Sequence, residues 1–364
     1  MREGEFRIPG GCAIAAVIHK DKQRENGVLI KKAMATMHDR SNGLGGGFVG
    51  YGIYPQHQDE YALHLFYDDL ATKIKTEALI EEIFQVSEAE EIPRDSSIKL
   101  SHVPLIWRYF VQAKTGKDEK EQIVSFLFLV NTKIKGAYVF SCGKNMGIFK
   151  GIGYPEELAD FYRLQDMEAY TWIAHGRYPT NSPGWWAGAH PFGMLDMALV
   201  HNGEISSYDA NRRYIEMFGY PCSLLTDTEV ITYLFDFLMR RSPLTFEECA
   251  HVLAAPFWDE IKRMEPEEKR YYTMLRRNLG SMLITGPFSI ILGFDDGVGA
   301  MNDRLKLRSL MIGEKDNTVW MASEESAIRS MEPDLDTLFS LDGGVGYVVR
   351  YQPRRKDDEK TTKI

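Results

Sequence analysis

The sequence predicts an α+β fold built on packed sheets, and three observations predict it. Runs rich in β-branched and aromatic residues gather at both ends of the chain. Charged segments of helical character gather between them. No linker, repeat or low-complexity stretch divides the chain, so its strands and helices are grouped and do not alternate as βαβ units.

The elements follow in order. AIAAVIH (13–19), GFVGYGIY (47–54) and YALHLFY (61–67) read as strands, with KKAMATMHD (31–39) as a helix between the first two. Residues 70–125 read as mainly helical and charged, and FLFLV (126–130) with GAYVFSC (136–142) as a hairpin pair. YTWIAHGRY (170–178) and MALVHNGEI (197–205) read as strands flanking a loop rich in Trp, Gly and Pro. Helices are expected at about 207–218 and 228–240, with 243–280 charged and helical. Strands return at SIILGF (289–294), RLKLRSLMIG (304–313), TVWMASE (318–324) and VGYVVRY (345–351), and residues 352–364 read as a solvated charged tail.

Bulk properties exclude several function classes. The 364 residues are 44% hydrophobic and 26% charged, with a net charge of −9, so no basic surface for nucleic acid or anionic membrane is indicated. The most apolar run, 281–294, is short and broken by Gly286 and Pro287, which rules it out as a membrane span. The first eleven residues lack the apolar core of a secretory signal. Cys12, Cys142, Cys222 and Cys249 form no C-x-x-C pair, so no metal site is expected, and their wide spacing fits a reducing cytoplasm.

Four segments carry candidate chemistry. Cys12 opens an apolar strand directly after Gly10-Gly11. Taken alone it reads as an ordinary buried strand cysteine. If the Gly11–Cys12 bond is cut, the freed α-amine titrates near ~8 and can take the thiol proton, making one residue both nucleophile and base. Arg177 ends an apolar strand and offers a planar fork for a carboxylate, with Thr180 and His190 able to add hydrogen bonds. Asn202-Gly203 is a turn signal that can also form an oxyanion hole, from an amide side chain and an unshielded backbone N–H. Thr226-x-x-Glu229 reads as a capping box, leaving the Asp227 carboxylate in the first helical turn for a substrate ammonium. The glycine-rich segment 41–52 follows a helix and reads as a close-packed loop, while Trp185-Trp186 reads as a mobile lid or a loop anchor.

Taken in order, these segments resemble the class II glutamine amidotransferases, which are N-terminal-nucleophile hydrolases. The resemblance spans about residues 12–350. It is carried by CAIAAVI, MHDRSNGLGGG, AHGRYPTN, AHPF, LVHNGEI, TDTEV, GPFSIILGF, DRLKLRSLMIG and WMASEESA. It implies a four-layer αββα sandwich over residues 12–351, preceded by a propeptide at 1–11. It assigns Cys12 as nucleophile, Arg177 to the glutamine α-carboxylate and Asp227 to its ammonium. Asn202 and Gly203 become the oxyanion hole, Thr180 and His190 the pocket lining, and Arg40 a support of the nucleophile. Ala13, Ser41 and Ser309 depart from the family pattern.

The chain is most similar to the amidotransferase portion of glutamate synthases. That likeness implies glutamine hydrolysis feeding ammonia to a synthase chain that carries FMN and iron–sulfur, with no cofactor on this chain. A non-catalytic docking subunit and a hydrolase of a different amide stay open as alternatives.

Overall fold

The computed structural model describes residues 11–114, 118–178 and 184–352. Of the expected leader and tail, only Gly11 and Gln352 fall within the described residues.

The first strand, Ala13–His19, is buried along its whole length except at His19. Three alanines, two isoleucines and a valine make this possible, because small and branched apolar residues on alternating faces fill space on both sides. The strand is the middle member of a seven-stranded antiparallel sheet. The order is Thr337–Ser340, Met311–Lys315, Thr318–Ala322, Ala13–His19, Thr171–Gly176, Gly46–Tyr51, Met146–Gly151. A second antiparallel sheet of five strands runs Phe192–Met194, Met197–Gly203, Phe288–Phe294, Gly297–Asn302, Gly346–Arg350. The strands Ala13–His19 and Thr171–Gly176 pack on Met197–Gly203, so the sheets lie face to face.

Helices cover both outer faces. Val28–Thr36, Pro155–Phe161 and Glu325–Met331 lie on the first sheet; Asp227–Asp236 and Phe246–Leu253 lie on the second. The layers are therefore helix, sheet, sheet, helix, as expected. Among the described residues no helix is long and apolar enough to cross a membrane.

Three regions differ from the sequence reading. Residues 70–125 are not mainly helical: Phe84–Glu91 and Leu105–Ala113 are strands of a further four-stranded sheet with Tyr61–Tyr67 and Ala137–Ser141. The charged strand Phe84–Glu91 buries only Phe84 and is exposed at most of its other positions, so its Glu-rich composition concealed it. FLFLV is not a strand but lies inside the helix Glu119–Lys133, which starts where the Asp118 carboxylate accepts the N–H groups of Lys120 and Glu121. Its buried positions, Ile123, Val124, Phe126, Leu127 and Val130, have helical spacing that outweighs local strand preference.

The third correction concerns residues 304–313, of which only Met311 onward is strand. Asp303 bends the segment before it. Its buried carboxylate accepts N–H bonds from Phe288 (3.2 Å), Leu305 (2.9 Å) and Leu307 (2.9 Å). Asp303→Ala would remove the acceptor of all three donors, the Phe288 N–H among them lying in the buried core. Urea unfolding is expected to show a loss of about 2–4 kcal/mol relative to wild type.

Candidate active site

The pairing of two central strands creates the site. Ala13 lies opposite Gly176 in an antiparallel register, so the residue before one strand meets the residues after the other. Cys12 and Arg177–Tyr178 thus come together at one sheet end. The Tyr178 N–H donates to Cys12 Sγ at 3.2 Å, and the thiol points to Tyr178 O at 3.9 Å. Among the described residues the hydrogen bonds of the sulfur are with the Tyr178 backbone alone, so none of them offers it a side-chain base. Arg40 donates Nε–H to Cys12 O at 3.2 Å while Nη1 meets Glu324 at 2.8 Å.

Charge organises this end. Burial pushes the Cys12 thiol pKa up; the Tyr178 N–H, Arg177 and Arg308 pull it down, and Asp227 pushes it up. Burial lowers the Arg177 pKa, and the Cys12 thiolate and Asp227 raise it. Thiol, cation and carboxylate therefore act on one another's charge. Arg177 is only 3% exposed. The glycine-rich segment lets the chain pack against it: at Gly45, φ is +143° and a Cβ would lie 3.2 Å from Arg177 Cδ. The Gly45 carbonyl accepts the Arg177 N–H at 3.0 Å.

Asp227 begins the helix Asp227–Asp236, whose cap is Thr226, accepting the Thr228 N–H at 3.3 Å. The expected capping box does not form. Glu229 turns away and accepts N–H bonds from Ser223 (3.1 Å) and Leu224 (2.9 Å), with the Tyr233 hydroxyl at 3.3 Å. The Asp227 carboxylate accepts from Ile205 N–H at 3.3 Å and the Thr228 hydroxyl at 3.3 Å, with His201 Nδ1 at 3.8 Å.

Asn202 and Gly203 end the strand of the second sheet that faces Cys12's strand. Asn202 is fully buried and donates one amide N–H to Ser323 Oγ at 3.2 Å, leaving its second for another acceptor. Ser323 Oγ also accepts the Ile14 N–H at 3.1 Å, so one hydroxyl joins the nucleophile strand to the oxyanion candidate. Gly203 has φ +156°, and a Cβ there would sit 2.0 Å from Pro287 O. Gly203→Ala is expected to cost more than about 2 kcal/mol in thermal or chemical unfolding, because backbone atoms must move to admit the methyl group.

His190 is buried and stacked behind the site, with Nδ1 3.2 Å from His175 Nε2 and Nε2 3.5 Å from the Thr226 hydroxyl. Since His175 Nε2–H donates to His201 O at 3.0 Å, His190 Nδ1 is the acceptor of this pair. Burial lowers the pKa of all three histidines, His175 to about 3. Thr180 lies outside the described residues. Trp185 and Trp186 are anchors: Trp186 is buried and donates to Ser101 O at 2.9 Å, and Trp185 packs edge-on to Tyr138 at 5.2 Å.

Sequence reasoning missed Tyr178, His175, His201, Ser323, Glu324 and Arg308. All lie inside segments that were singled out, but only the strand register shows that they converge. It also missed Lys150, a fully buried lysine whose Nζ donates to Ala187 O (2.9 Å) and Ala189 O (2.8 Å) and pins the loop before His190.

Glu229, behind Asp227, supplies a pH test. Burial raises its pKa from 4.5 to about 7, against the pull of its N–H donors and Lys150. The folded state holds this proton more tightly than the unfolded state, so Glu229's contribution falls as pH rises from 4.5 to about 7. Glu229→Gln is expected to remove that slope. Its stability relative to wild type should grow by up to about 3 kcal/mol across this window in parallel denaturation curves.

Residues 54–219 match the family model of the class-II glutamine amidotransferases. The matched stretch contains Arg177, His190, Asn202 and Gly203. An uncharacterized protein of Archaeoglobus fulgidus is 45% identical over 354 residues, covering 95% of this chain and 94% of that protein. A Methanothermobacter thermautotrophicus protein, provisionally named a glutamine amidotransferase, is 26% identical over 328 residues, covering 88% and 93%. Among solved structures, the glutamine phosphoribosylpyrophosphate amidotransferase of B. subtilis, complexed with ADP and GMP, aligns with a TM-score of 0.46 at 14% identity. That alignment covers 94% of this chain and 49% of the other, so the chain spans about half the length of that protein.

Proposed function

We propose that this class II glutamine amidotransferase-like chain is a glutaminase that releases ammonia through a Cys12 thioester. The observation that carries this reading is the strand register that sets Cys12 beside Arg177–Tyr178, with the Asp227 carboxylate near enough to act on the charge of both thiol and guanidinium. A free α-amino acid presents one carboxylate and one ammonium. Arg177 and Asp227 offer the complementary charges. A ligand lacking either head group would forgo one of these two pairings, which selects against simple amides.

The chemistry follows from these positions. Once residues 1–11 are removed, the Cys12 amine takes the thiol proton and sulfur attacks the side-chain amide carbon. The oxyanion is met by Asn202 and the Gly203 N–H. The amine returns the proton to the leaving nitrogen, ammonia departs, and water hydrolyses the thioester to glutamate. By the resemblance to glutamate synthases, ammonia passes to a partner chain carrying FMN and iron–sulfur; co-purification of such a chain from native lysate tests that step.

The first measurement is intact mass together with glutamine hydrolysis. The reading expects loss of residues 1–11, glutamate release by wild type, and at least a thousandfold loss of turnover in Cys12→Ser (on the order of other nucleophile removals). Arg177→Ala should raise KM for glutamine by about a hundredfold or more, with a smaller effect on kcat. Unchanged hydrolysis in Cys12→Ser would sink the mechanism.

A further inference from the structure

A second cation stands at the nucleophile, and the mechanism above gives it no role. The segment after Asp303 carries Arg308 to the start of the Cys12 strand. An ideal Cβ on Gly11 would lie 2.9 Å from Arg308 Nη1 and 3.2 Å from both Cζ and Nη2. The guanidinium is therefore laid against the Gly11 α-carbon, one residue from the thiol. Gly11 has φ +123°, a backbone conformation that favours glycine.

The arginine is fixed from both sides. Upstream, Asp303 holds the Leu305 and Leu307 N–H groups. Downstream, the Ser309 hydroxyl donates to Ser323 O at 2.8 Å. Ser323 also holds Ile14 N–H through Oγ and donates its own N–H to Ile14 O at 2.9 Å. The Arg308 segment and the Cys12 strand are thus bound to the same residue, which holds the two chain segments close together.

We propose that Arg308 is a positioning residue that sets the charge state of the Cys12 end, stabilising its thiolate and, once residue 11 is gone, keeping its α-amine unprotonated. The second half rests on the glutaminase reading; the first holds whether or not the leader is removed. A cation disfavours a neighbouring ammonium and favours a neighbouring thiolate, so both effects enlarge the reactive population near neutral pH. Other groups facing this end are Arg177, which acts in the same direction, and Asp227, which opposes it. Arg40 is engaged with Cys12 O and Glu324, and His201 stands beyond with Asp227. Arg177 and Asp227 are the charges that a bound amino acid would cover. Arg308 would act before substrate arrives.

The test is the pH dependence of Cys12 alkylation by iodoacetamide in the full chain, read on the Cys12 peptide by mass spectrometry. Wild type, Arg308→Met and Arg308→Lys are compared, with N-termini identified by intact mass. Arg308→Met should move the midpoint up by about one pH unit, and Arg308→Lys should restore most of it. An unmoved midpoint in Arg308→Met overturns the proposal. So does a shift that lysine fails to reverse, since that reports altered packing and not lost charge. Glutamine hydrolysis measured on the same samples keeps the two readings apart. A shifted midpoint without hydrolysis sinks the glutaminase reading and leaves the tuning role standing. Hydrolysis with an unmoved midpoint does the reverse.

Discussion

Everything at this site depends on holding a guanidinium out of water beside a thiol. Arg177 is almost wholly buried, and such a cation is tolerable only where opposite charge or aligned oxygen offsets its lost hydration. Asp227 supplies part of that offset from the opposite sheet's helix layer. The remainder of the arrangement follows. The carboxylate has to be fixed by Ile205 N–H and Thr228, the arginine has to pack against a glycine loop, and the thiol between them inherits a field that decides its reactivity.

The scaffold meets this demand by making one small residue do several jobs. Ser323 ties the nucleophile strand through Ile14, the oxyanion candidate through Asn202 and the Arg308 segment through Ser309. Its hydroxyl oxygen accepts the first two bonds and its backbone carbonyl accepts the third. The two sheets are therefore linked at the site by directed bonds, while apolar packing holds them together elsewhere. Lys150 performs a related task for the loop leading to His190, where two carbonyls without ladder partners accept its ammonium.

Legibility varied with the range of the interaction. The strand AIAAVIH was readable because burial on both faces leaves an unbroken apolar run. The Thr226 cap was readable because it is a local bond, but its expected box partner was not, since Glu229 found better donors in Ser223 and Leu224. FLFLV misled because a short apolar run suits a strand or a buried helix equally, and only its packing face decides. The strand Phe84–Glu91 misled for the opposite reason: its exposed glutamates looked helical, yet its neighbour Leu105–Ala113 recruited it into a sheet.

By itself the sequence determined which residue types could do chemistry: a cysteine after two glycines, an arginine at a strand end, an Asn-Gly pair, an aspartate at a helix start. Those are properties of single residues and their immediate neighbours. The tertiary structure alone decided that they meet. The register that sets Ala13 against Gly176 brings Cys12 to Arg177, the stacking of two sheets brings Asn202 to Ser323, and the bend at Asp303 delivers Arg308 to Gly11. The physical reason is that each of these meetings joins residues distant in sequence, and no local preference encodes a pairing whose energy exists only once both partners have left water.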